Sequence, residues 1–451
     1  MIFGTDGVRD IGGQGLLSPD SVDRFGTAIL LHLQREGLDA PRILIGRDTR
    51  ESGPEIELQL TRALHRGAAQ TLHAGVVPTP ALSVLLAAGH ADLGLMISAS
   101  HNPPEFNGIK VLNRSGEKLT KESEGLISAD HATAEPLEGD FPQVVDDPEW
   151  GKAYLNCLMD SFPEGEFLQG IEVVLDTARG AACHWGPEAF RRAGARVHLL
   201  HGEPDGKRIN VGCGSLHPKV LADEVRRRKA DLGVAFDGDA DRALFCDHEG
   251  KGLDGDDVIA LWALDLKSRG ELNPPVVALT VMSNMGVEKY LGSQGVQVLR
   301  TPVGDREVAT ALRESGGVLG GETSGHIIHR SEAATGDGIR TGLSVCRCLA
   351  DSGKSLAEEG GRFQRFPLEQ RTIRIENRPD FESLNLLREA MGEAEAQLAG
   401  AGRLVVRFSG TEPLLRILVE AETEEAAQFW VEKILEAACQ EETLGTVTVV
   451  A

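Results

Sequence analysis

Asp237, Asp239 and Asp241 alternate along the stretch DGDADR. In an extended segment alternate side chains project to the same side, so these three carboxylates are expected to converge. Converged carboxylates repel one another unless a cation lies between them, and hard oxygen ligands favour Mg²⁺ or Ca²⁺. An EF-hand is excluded, because its sixth and twelfth positions need Gly and Glu where this chain has Arg242 and His248. A solvated acidic turn is the alternative interpretation.

A serine lies in a polar loop directly after an apolar run. Ser100 follows the strand-like sequence LGLMI and precedes His101 in SASHNPPEFNGIK, which ends at Lys110. No G-x-S-x-G turn surrounds the serine, so the sequence lacks the elbow that acyl transfer requires. A phosphorylated serine, by contrast, is a hard oxygen donor with about −1.5 to −2 charges and would complete a metal site.

The stretch RFSGTEP has the composition of a loop that binds a phosphate group. Arg407 can pair with a phosphate through two parallel hydrogen bonds. Ser409 and Thr411 offer hydroxyl groups, and Gly410 lets backbone N–H groups approach an anion closely. Taken alone, this stretch also fits an ordinary turn at the end of a strand.

A second glycine-rich loop, GGETSGH, combines a carboxylate, hydroxyl groups and an imidazole. Glu322 and Ser324 could bind the vicinal hydroxyl groups of a sugar. His326 could transfer a proton near neutral pH. An ordinary glycine-rich turn is the alternative for this segment as well.

The length and composition indicate a folded protein of several domains. At about 150 residues per domain, a chain of 451 residues predicts roughly three domains and allows four. The net charge of −23 argues against nucleic acids and anionic membranes as partners. An anionic small substrate is still compatible with this charge, provided that its site concentrates cations locally.

The cysteines and the start of the chain predict a location in the cytoplasm. The seven cysteines are scattered, and Cys346 and Cys348 form a single C-x-C without a second cluster, so free thiols are expected rather than a zinc site. The start MIFGTDGVRD lacks the basic and apolar segments of a signal peptide. No apolar run approaches the ~20 residues that a membrane span needs.

Three parts of the chain repeat a strand, a helix and a second strand. The first strands lie in RILIGRDTRESG, IEVVLDTARGAA and PVVALTVMSNMG, and the second strands run into SASHNP, DGDADR and GETSGH. This alternation predicts parallel β-α-β units, in which ligands bind beyond the carboxyl ends of the strands. The tail has a different order, β-α-β-β-α-β, with Thr423 as the N-cap of its last helix, and predicts a small α+β domain with an antiparallel sheet.

Breaks rich in proline, acidic residues or turn residues divide the chain into four predicted domains. The predicted ranges are 1–145 for an α/β domain with the serine loop, 146–250 for one with the aspartate loop, 251–364 for one with the sugar-recognition loop, and 365–451 for an α+β domain with the phosphate-binding loop.

The ordered motifs GTDGVR, SASHNP, DGDADR, GETSGH and SGTEP resemble the α-D-phosphohexomutase family along the whole chain. The stretches PDGKRINVGCGSLHP, TVMSNMG, PVGDR and TGDGI are most similar to the branch that acts on glucosamine phosphates. This resemblance implies an α/β fold: three related α/β domains with mixed, mostly parallel sheets and a smaller C-terminal α+β domain, arranged around a central active-site cleft.

The resemblance also implies roles for individual residues. It implies one Mg²⁺ per subunit, held by a phosphorylated Ser100 together with Asp237, Asp239 and Asp241. It implies catalytic roles for Ser100, His101, Lys110, Arg9 and His326, with Lys110 or His326 as the acid and base. It implies substrate binding by Glu322, Ser324, His326, Arg242, Arg407, Ser409, Gly410 and Thr411.

The implied reaction is the interconversion of glucosamine 6-phosphate and glucosamine 1-phosphate through a phosphoserine enzyme and a sugar bisphosphate. An enzyme of the same family that prefers mannose or glucose phosphate is the nearest alternative, because Thr323 stands where the glucosamine branch often has Gln. More distant alternatives are a Mg²⁺-dependent sugar phosphatase built on Asp237 and Asp239, and a sugar-phosphate sensor without catalysis. The expected partner is a hexose phosphate, and a homodimer is compatible with the sequence.

Overall fold

The computed structural model describes residues 1–4, 6–135, 143–409 and 413–450. Within these residues the chain forms two compact units. The first unit consists of Met1–Thr280 and Val298–Gly361, and the second of Val281–Gln297 and Arg362–Ala451. Short 3₁₀ helices lie at Gly15–Leu17, Gly214–Leu216, Phe381–Ser383 and Glu442–Leu444.

The N-terminal part of the first unit is a five-stranded mixed sheet with helices. Its strands are β1 (Val8–Ile11), β2 (Arg42–Arg47), β3 (Gln70–Val76), β4 (Leu93–Ile97) and β5 (Phe106–Asn113), and its helices are α1 (Pro19–Arg35), α2 (Gly53–Arg66), α3 (Thr79–Ala87) and α4 (Lys121–Thr133). The strand order is β1-β5-β4-β2-β3. β2 is parallel to β3 and β4, whereas β5 is antiparallel to β4 and β1. The apolar sequence of β4 reflects its complete burial.

A second mixed sheet follows with a related topology. It contains β6 (Glu172–Asp176), β7 (Arg196–Leu200), β8 (Leu232–Phe236), β9 (Ala243–Asp247) and β10 (Gly252–Leu253), with helices α5 (Glu149–Asp160), α6 (Ala182–Arg192) and α7 (Pro218–Arg228). The order is β10-β9-β8-β6-β7. β6 is parallel to β7 and β8, and β9 is antiparallel to β8 and β10.

The third sheet has the order β12-β11-β13-β14. Its strands are β11 (Val276–Thr280), β12 (Gln297–Thr301), β13 (Leu319–Gly321) and β14 (Ile327–His329). The helices of this part are α8 (Gly255–Ser268), α9 (Met285–Ser293), α10 (Asp305–Ser315), α11 (Gly338–Ser352) and α12 (Leu356–Glu359), of which α9 belongs to the second unit. β11 and β13 are parallel, and β14 is antiparallel to β13.

The three sheets place their functional loops in equivalent positions. In each sheet a buried strand with a parallel neighbour, β4, β8 or β13, runs into a loop and returns as an antiparallel strand. These loops are the stretches that contain Ser100, Asp237 and Glu322. The predicted succession of α/β domains with mixed sheets is therefore confirmed.

The C-terminal part of the second unit is an antiparallel sheet with two long helices. Its elements are β15 (Leu368–Ile375), α13 (Asn385–Leu398), β16 (Gly402–Phe408), β17 (Leu414–Ala421), α14 (Glu424–Gln440) and β18 (Val447–Val450). The strand order is β16-β17-β15-β18, with antiparallel pairing throughout these described strands. The hydroxyl group of Thr423 accepts a hydrogen bond from the N–H of Ala426, so the predicted N-cap is confirmed.

Each of the seven cysteines carries a free thiol. Across the described ranges, no helix has the length and apolar character needed to cross a bilayer.

Candidate active site

The three aspartates of DGDADR meet at the carboxyl end of β8. One carboxylate oxygen each from Asp237, Asp239 and Asp241 lies within 4.8 Å of the others, and all three side chains are buried. The backbone here is a tight turn and not the extended segment predicted. The N–H of Ala240 donates to the carbonyl of Asp237 at 3.1 Å, and Ala240 has a φ of +56°. The predicted convergence of the three carboxylates is thus correct, but the turn that holds them contains one residue in the left-handed region.

The electrostatics of this triad fit a hard divalent cation. Burial and the neighbouring carboxylates of Asp241 and Asp239 raise the pKa of Asp237 to about 8. Among the described residues, Asp239 Oδ1 and Asp241 Oδ1 are buried and have no hydrogen-bond partner. Mg²⁺ prefers carboxylate oxygens, so a bound cation would satisfy these atoms and remove the repulsion within the triad.

Lys110 binds two of these carboxylates from the neighbouring sheet. Its Nζ lies 2.7 Å from Asp239 Oδ2, 3.0 Å from Asp241 Oδ2 and 3.1 Å from Asp6 Oδ2. Burial alone would lower the pKa of Lys110, but the three carboxylates outweigh it and raise the pKa well above its usual value. The side chain is therefore an ammonium group that can stabilise negative charge.

Ser100 faces the triad from the loop after β4. Its Oγ donates a hydrogen bond to Asp237 Oδ2 at 2.6 Å and lies 3.4 Å from His101 Nδ1. Burial lowers the pKa of His101 to about 4, assisted by the positive charges of Arg242 and Arg9. The imidazole next to Ser100 is therefore neutral at physiological pH.

His326 contacts the opposite side of the triad. Its Nδ1 lies 3.6 Å from Asp241 Oδ1, and its Nε2 accepts a hydrogen bond from the N–H of Gly336 at 3.0 Å. Burial lowers the pKa of His326, but the carboxylates of Asp241 and Asp305 outweigh it and raise the pKa. The bond from Gly336 places a lone pair on Nε2 and the proton on Nδ1. A Cβ atom at position 336 would lie only 2.7 Å from Nε2, so this contact needs glycine.

Two guanidinium groups add positive charge at the same place. Arg9 forms an ion pair with Asp6 and donates a hydrogen bond to Asn102 Oδ1 at 3.3 Å. Arg242 Nε lies 3.8 Å from Asp241 Oδ1. Burial lowers the pKa of Arg242, but the carboxylates of Asp241 and Asp237 outweigh it and raise the pKa. Each of these guanidinium groups is thus paired with a carboxylate of the same site.

The loop between β13 and β14 presents the predicted sugar-reading residues. Glu322 Oε1 accepts a hydrogen bond from the N–H of Gly304 at 3.2 Å. The Oγ of Ser324 is buried and, in the part of the chain that the structure describes, has no hydrogen-bond partner. The N–H of Ala243, the first residue of β9, donates to the carbonyl of Gly325 at 3.1 Å, which fixes this loop beside the aspartate turn.

The predicted phosphate-binding residues belong to the second unit. Arg407 and Arg416 lie directly opposite each other on the antiparallel strands β16 and β17. Burial and the charge of Arg416 lower the pKa of Arg407. Ser409 is buried, and its N–H donates to the carbonyl of Leu414 at 2.8 Å. An anion bound at this position would relieve the repulsion between the two guanidinium groups. Gly410 and Thr411 lie outside the described residues.

The structure adds site residues that sequence analysis missed. Lys118 Nζ lies 2.7 Å from Asp305 Oδ2 and 2.5 Å from Asp6 Oδ1, and Asp305 in turn lies 3.8 Å from His326 Nε2. These contacts connect the carboxylate beside Lys110 with the imidazole of the sugar loop. Asp6 and Asp305 stand within the motifs GTDGVR and PVGDR, which was a usable signal, whereas no sequence signal indicated Lys118.

Four family models cover most of the chain. Residues 1–137, 152–251 and 254–366 match the phosphoglucomutase/phosphomannomutase alpha/beta/alpha domains I, II and III, and residues 372–437 match the C-terminal domain of the same family. The chain belongs to the phosphoglucomutase/phosphomannomutase family. The predicted resemblance to phosphohexomutases is confirmed, and with it the enzyme class of an intramolecular phosphotransferase.

Full-length relatives and a solved structure agree with this assignment. The chain is 41% identical to the phosphoglucosamine mutase of Cereibacter sphaeroides over 440 residues, which cover 97% of this chain and 98% of the relative. It is 42% identical to the phosphoglucosamine mutase of Syntrophomonas wolfei over 93% of this chain and 94% of the relative. A phosphoglucomutase/phosphomannomutase family protein from Burkholderia thailandensis shares the fold, with a TM-score of 0.81, 23% identity and coverage of 99% and 98% of the two chains.

Proposed function

We propose that this family member acts as a phosphoglucosamine mutase, which interconverts glucosamine 6-phosphate and glucosamine 1-phosphate. The observation that carries the chemistry is the hydrogen bond of 2.6 Å from Ser100 Oγ to Asp237, within a buried carboxylate triad. The choice of sugar rests on the two relatives named phosphoglucosamine mutase, at 41% and 42% identity over almost the whole chain.

The triad is the proposed magnesium site. Asp237, Asp239 and Asp241 would hold one Mg²⁺ per subunit together with the phosphate of a phosphorylated Ser100. When bound, the cation would supply charge stabilisation for the transferring phosphoryl group. The buried Oδ1 of Asp239, which has no hydrogen-bond partner among the described residues, supports this assignment.

The reaction consists of two phosphoryl transfers in opposite directions. In the first, the bond between phosphorus and Ser100 Oγ breaks while a bond forms between phosphorus and O1 of glucosamine 6-phosphate. The O1 hydroxyl group loses its proton, and the serine oxygen gains one. In the second, the bond from O6 to its phosphorus breaks while a bond forms between that phosphorus and Ser100 Oγ. The serine hydroxyl group loses its proton, O6 gains one, and glucosamine 1-phosphate is left. The sugar bisphosphate is the intermediate between the two transfers.

The proton transfers are assigned to Lys110 and His326. Lys110 is held as an ammonium group by three carboxylates that raise its pKa, so we propose that it stabilises negative charge and gives up its proton only as the serine oxygen becomes negatively charged. The lone pair of His326 Nε2 accepts a hydrogen bond from the N–H of Gly336. We propose that Nε2 acts as a base when this hydrogen bond is broken. Charge in the transition state of phosphoryl transfer is spread over the peripheral oxygens, and Arg9 and Arg242 are placed to stabilise it.

Substrate recognition is divided between two loops in this proposal. Glu322 and Ser324 bind the sugar hydroxyl groups. Arg407, Ser409, Gly410 and Thr411 bind the phosphate group that does not react. The predicted domain limits, the cytoplasmic location and a homodimer remain predictions of the sequence.

Arg407→Ala is expected to raise KM for the sugar phosphate by about 10- to 100-fold, because a bidentate pair between arginine and phosphate is lost. Steady-state kinetics in both directions would measure this change. Arg371→Ala is the matched control, since Arg371 lies in the same sheet and pairs with Glu432 on the surface. Unchanged KM and kcat in Arg407→Ala would remove this residue from the site.

A side-by-side assay of three substrates tests the proposed sugar. We expect kcat/KM for glucosamine 6-phosphate to exceed that for glucose 6-phosphate and mannose 6-phosphate by at least about tenfold, the size of effect expected from losing hydrogen bonds to one substituent. A higher value for glucose or mannose phosphate would favour the second candidate, a phosphomannomutase/phosphoglucomutase, which the presence of Thr323 beside Glu322 keeps open. Stoichiometric release of inorganic phosphate would instead indicate a phosphatase.

A further inference from the structure

The loop that carries Ser100 is held by a guanidinium group that the proposed reaction does not use. Arg50 follows β2 and is one of the largest fully buried side chains of the described residues. Its Nε donates to Asp48 Oδ2 at 3.0 Å, so the buried charge is paired inside the protein. Asp48 Oδ2 also accepts a hydrogen bond from Ser98 Oγ at 2.6 Å.

The other N–H groups of Arg50 all point at the serine loop. Nη2 donates to the carbonyls of Ser100 at 3.0 Å and of Asn102 at 2.8 Å. Nη1 donates to the carbonyls of Phe106 at 2.8 Å and of Pro103. A guanidinium group presents five N–H donors in one rigid plane, and here each has a partner. The plane of this group therefore fixes four carbonyls between Ser100 and Phe106, the first residue of β5. A lysine, whose three donors share one atom, could not reproduce this.

Asn210 reaches two of the same carbonyls from the second sheet's domain. Its Nδ2 donates to the carbonyl of Ser100 at 2.9 Å and to that of Asn102 at 3.1 Å. Asn210 lies in PDGKRINVGCGSLHP, a stretch whose purpose the reaction leaves unexplained. The residue has a φ of +63° and is only 6% exposed. Each of the two carbonyls thus accepts hydrogen bonds from both Arg50 and Asn210.

The aspartate turn touches this arrangement directly. A Cβ atom at Gly238 would lie 2.6 Å from the carbonyl oxygen of Ser100 and 3.0 Å from Asn210 Nδ2. Glycine therefore lets the turn between Asp237 and Asp239 pack against the fixed carbonyl. Through this contact the position of the serine loop is tied to the position of the carboxylate triad.

Ser100 itself has a backbone conformation that needs such support. Its φ is +52°, in the left-handed region that a side chain with Cβ rarely adopts. Such a conformation persists only where the surroundings over-determine it. The N–H of Ser100 donates to Ser98 Oγ at 2.9 Å, while Arg50 and Asn210 hold its carbonyl. With both ends of the residue fixed, its Oγ is directed at Asp237.

We propose that Arg50 and Asn210 are positioning residues, which hold the backbone of Ser100 so that Oγ stays aligned with the carboxylate triad during phosphoryl transfer. They act through main-chain carbonyls and contact neither the transferred group nor the sugar. This inference deepens the proposed function and rests on it, since it takes Ser100 as the residue that carries the phosphoryl group.

Asn210→Ala tests the proposal with the smaller risk to folding. We expect kcat to fall by about 10- to 100-fold, because a displacement of about 1 Å at the reacting group has effects of this size. KM should change by less than about threefold, because Asn210 does not contact the substrate. The variants should be compared at equal phosphoserine content, measured by intact mass, and single-turnover transfer from phosphorylated enzyme to sugar phosphate should slow by the same factor as kcat.

Asn284→Ala is the matched control for Asn210→Ala. Asn284 is also 6% exposed, and its amide donates to a main-chain carbonyl outside the serine loop, that of Phe366 at 3.0 Å. Both variants should lower Tm, and only Asn210→Ala should lower kcat. A kcat within about twofold of wild type in Asn210→Ala, or an equal loss in both variants, would overturn the proposal.

Arg50→Lys provides the second, independent measurement. It keeps the positive charge beside Asp48 but loses most of the planar donors, so we expect kcat to fall by about 100-fold and the ³¹P resonance of the phosphoserine to shift. Arg66→Lys is the control, because Arg66 Nη1 pairs with the buried Asp23 at 3.2 Å in the same domain. If Arg50→Lys fails to fold, the result for Asn210→Ala decides the question.

Failure of this inference differs from failure of the proposed function. A wild-type enzyme that interconverts the two sugar phosphates without ever carrying labelled phosphate on Ser100 contradicts the proposed function. If the wild-type enzyme carries labelled phosphate on Ser100 but Asn210→Ala and Arg50→Lys have normal kcat, only the roles of Arg50 and Asn210 are contradicted.

Discussion

Ser100→Ala is expected to lower mutase kcat by about 10⁴-fold or more, because in the proposed mechanism it removes the oxygen that accepts and donates the phosphoryl group in both half-reactions. The side chain is fully buried and forms one hydrogen bond to Asp237, so its loss should leave the fold intact. Coupled assays in both directions, with Tm measured in parallel, would separate loss of chemistry from loss of structure.

Ser83→Ala is the control for this substitution. Ser83 is a fully buried serine of the same domain, and its Oγ donates to the carbonyl of Gly116 at 2.8 Å. It should keep near-normal kcat, and labelled phosphate from the substrate should appear on Ser100 in this control but nowhere in Ser100→Ala. Turnover of Ser100→Ala at a rate close to wild type would refute the phosphoserine mechanism.

Removal of divalent cations should have the second-largest effect, with kcat falling by about 10³-fold or more, because the charge of the transferring phosphoryl group then loses its main counter-charge. Dialysis against a chelator followed by addition of Mg²⁺ measures both the loss and its recovery. Full activity in excess chelator would contradict the assignment of the aspartate triad.

A measurement without turnover tests the same site. Mg²⁺ should raise the Tm of the wild-type protein by several degrees, because a ligand that binds only the folded state stabilises it. Asp241→Asn should abolish this response, since the variant loses a charged oxygen from the triad. Asp247→Asn is the control, because Asp247 is equally buried in the same domain but accepts hydrogen bonds from the N–H groups of Glu249 and Lys251. An equal response to Mg²⁺ in both variants would place the cation elsewhere.

Local sequence was sufficient for the elements and for the loops that carry chemistry. Apolar runs such as LGLMI and LGVAF became the fully buried strands β4 and β8, because burial on both sheet faces requires a continuous apolar sequence. The polar residues that follow these two strands include Ser100 and Asp237, so both loops could be located from the sequence. The antiparallel C-terminal domain was equally readable, since Thr423 and the alternating strands around it form local patterns.

The backbone conformation within these loops was harder to predict from the sequence. Alternation suggested an extended aspartate loop, whereas the structure has a turn with Ala240 in the left-handed region. The convergence of three carboxylates could be anticipated from their types and spacing. The turn itself could not be anticipated, because alanine has no intrinsic preference for the left-handed region and adopts it only under constraints from other parts of the fold.

The sequence by itself thus determined the family, the order of domains and the loops that contain Ser100, the aspartate triad and Glu322. The tertiary structure alone decided which side chains hold them: Lys110 as an ammonium group between carboxylates, Lys118 beside Asp6, and Arg50 and Asn210 on the carbonyls of the serine loop. The physical reason is distance along the chain. Arg50 meets the serine loop and Lys118 meets Asp6 within the domain of the first sheet, whereas Lys110 and Asn210 form contacts between the first and second sheets. No local periodicity records contacts between residues so far apart in sequence.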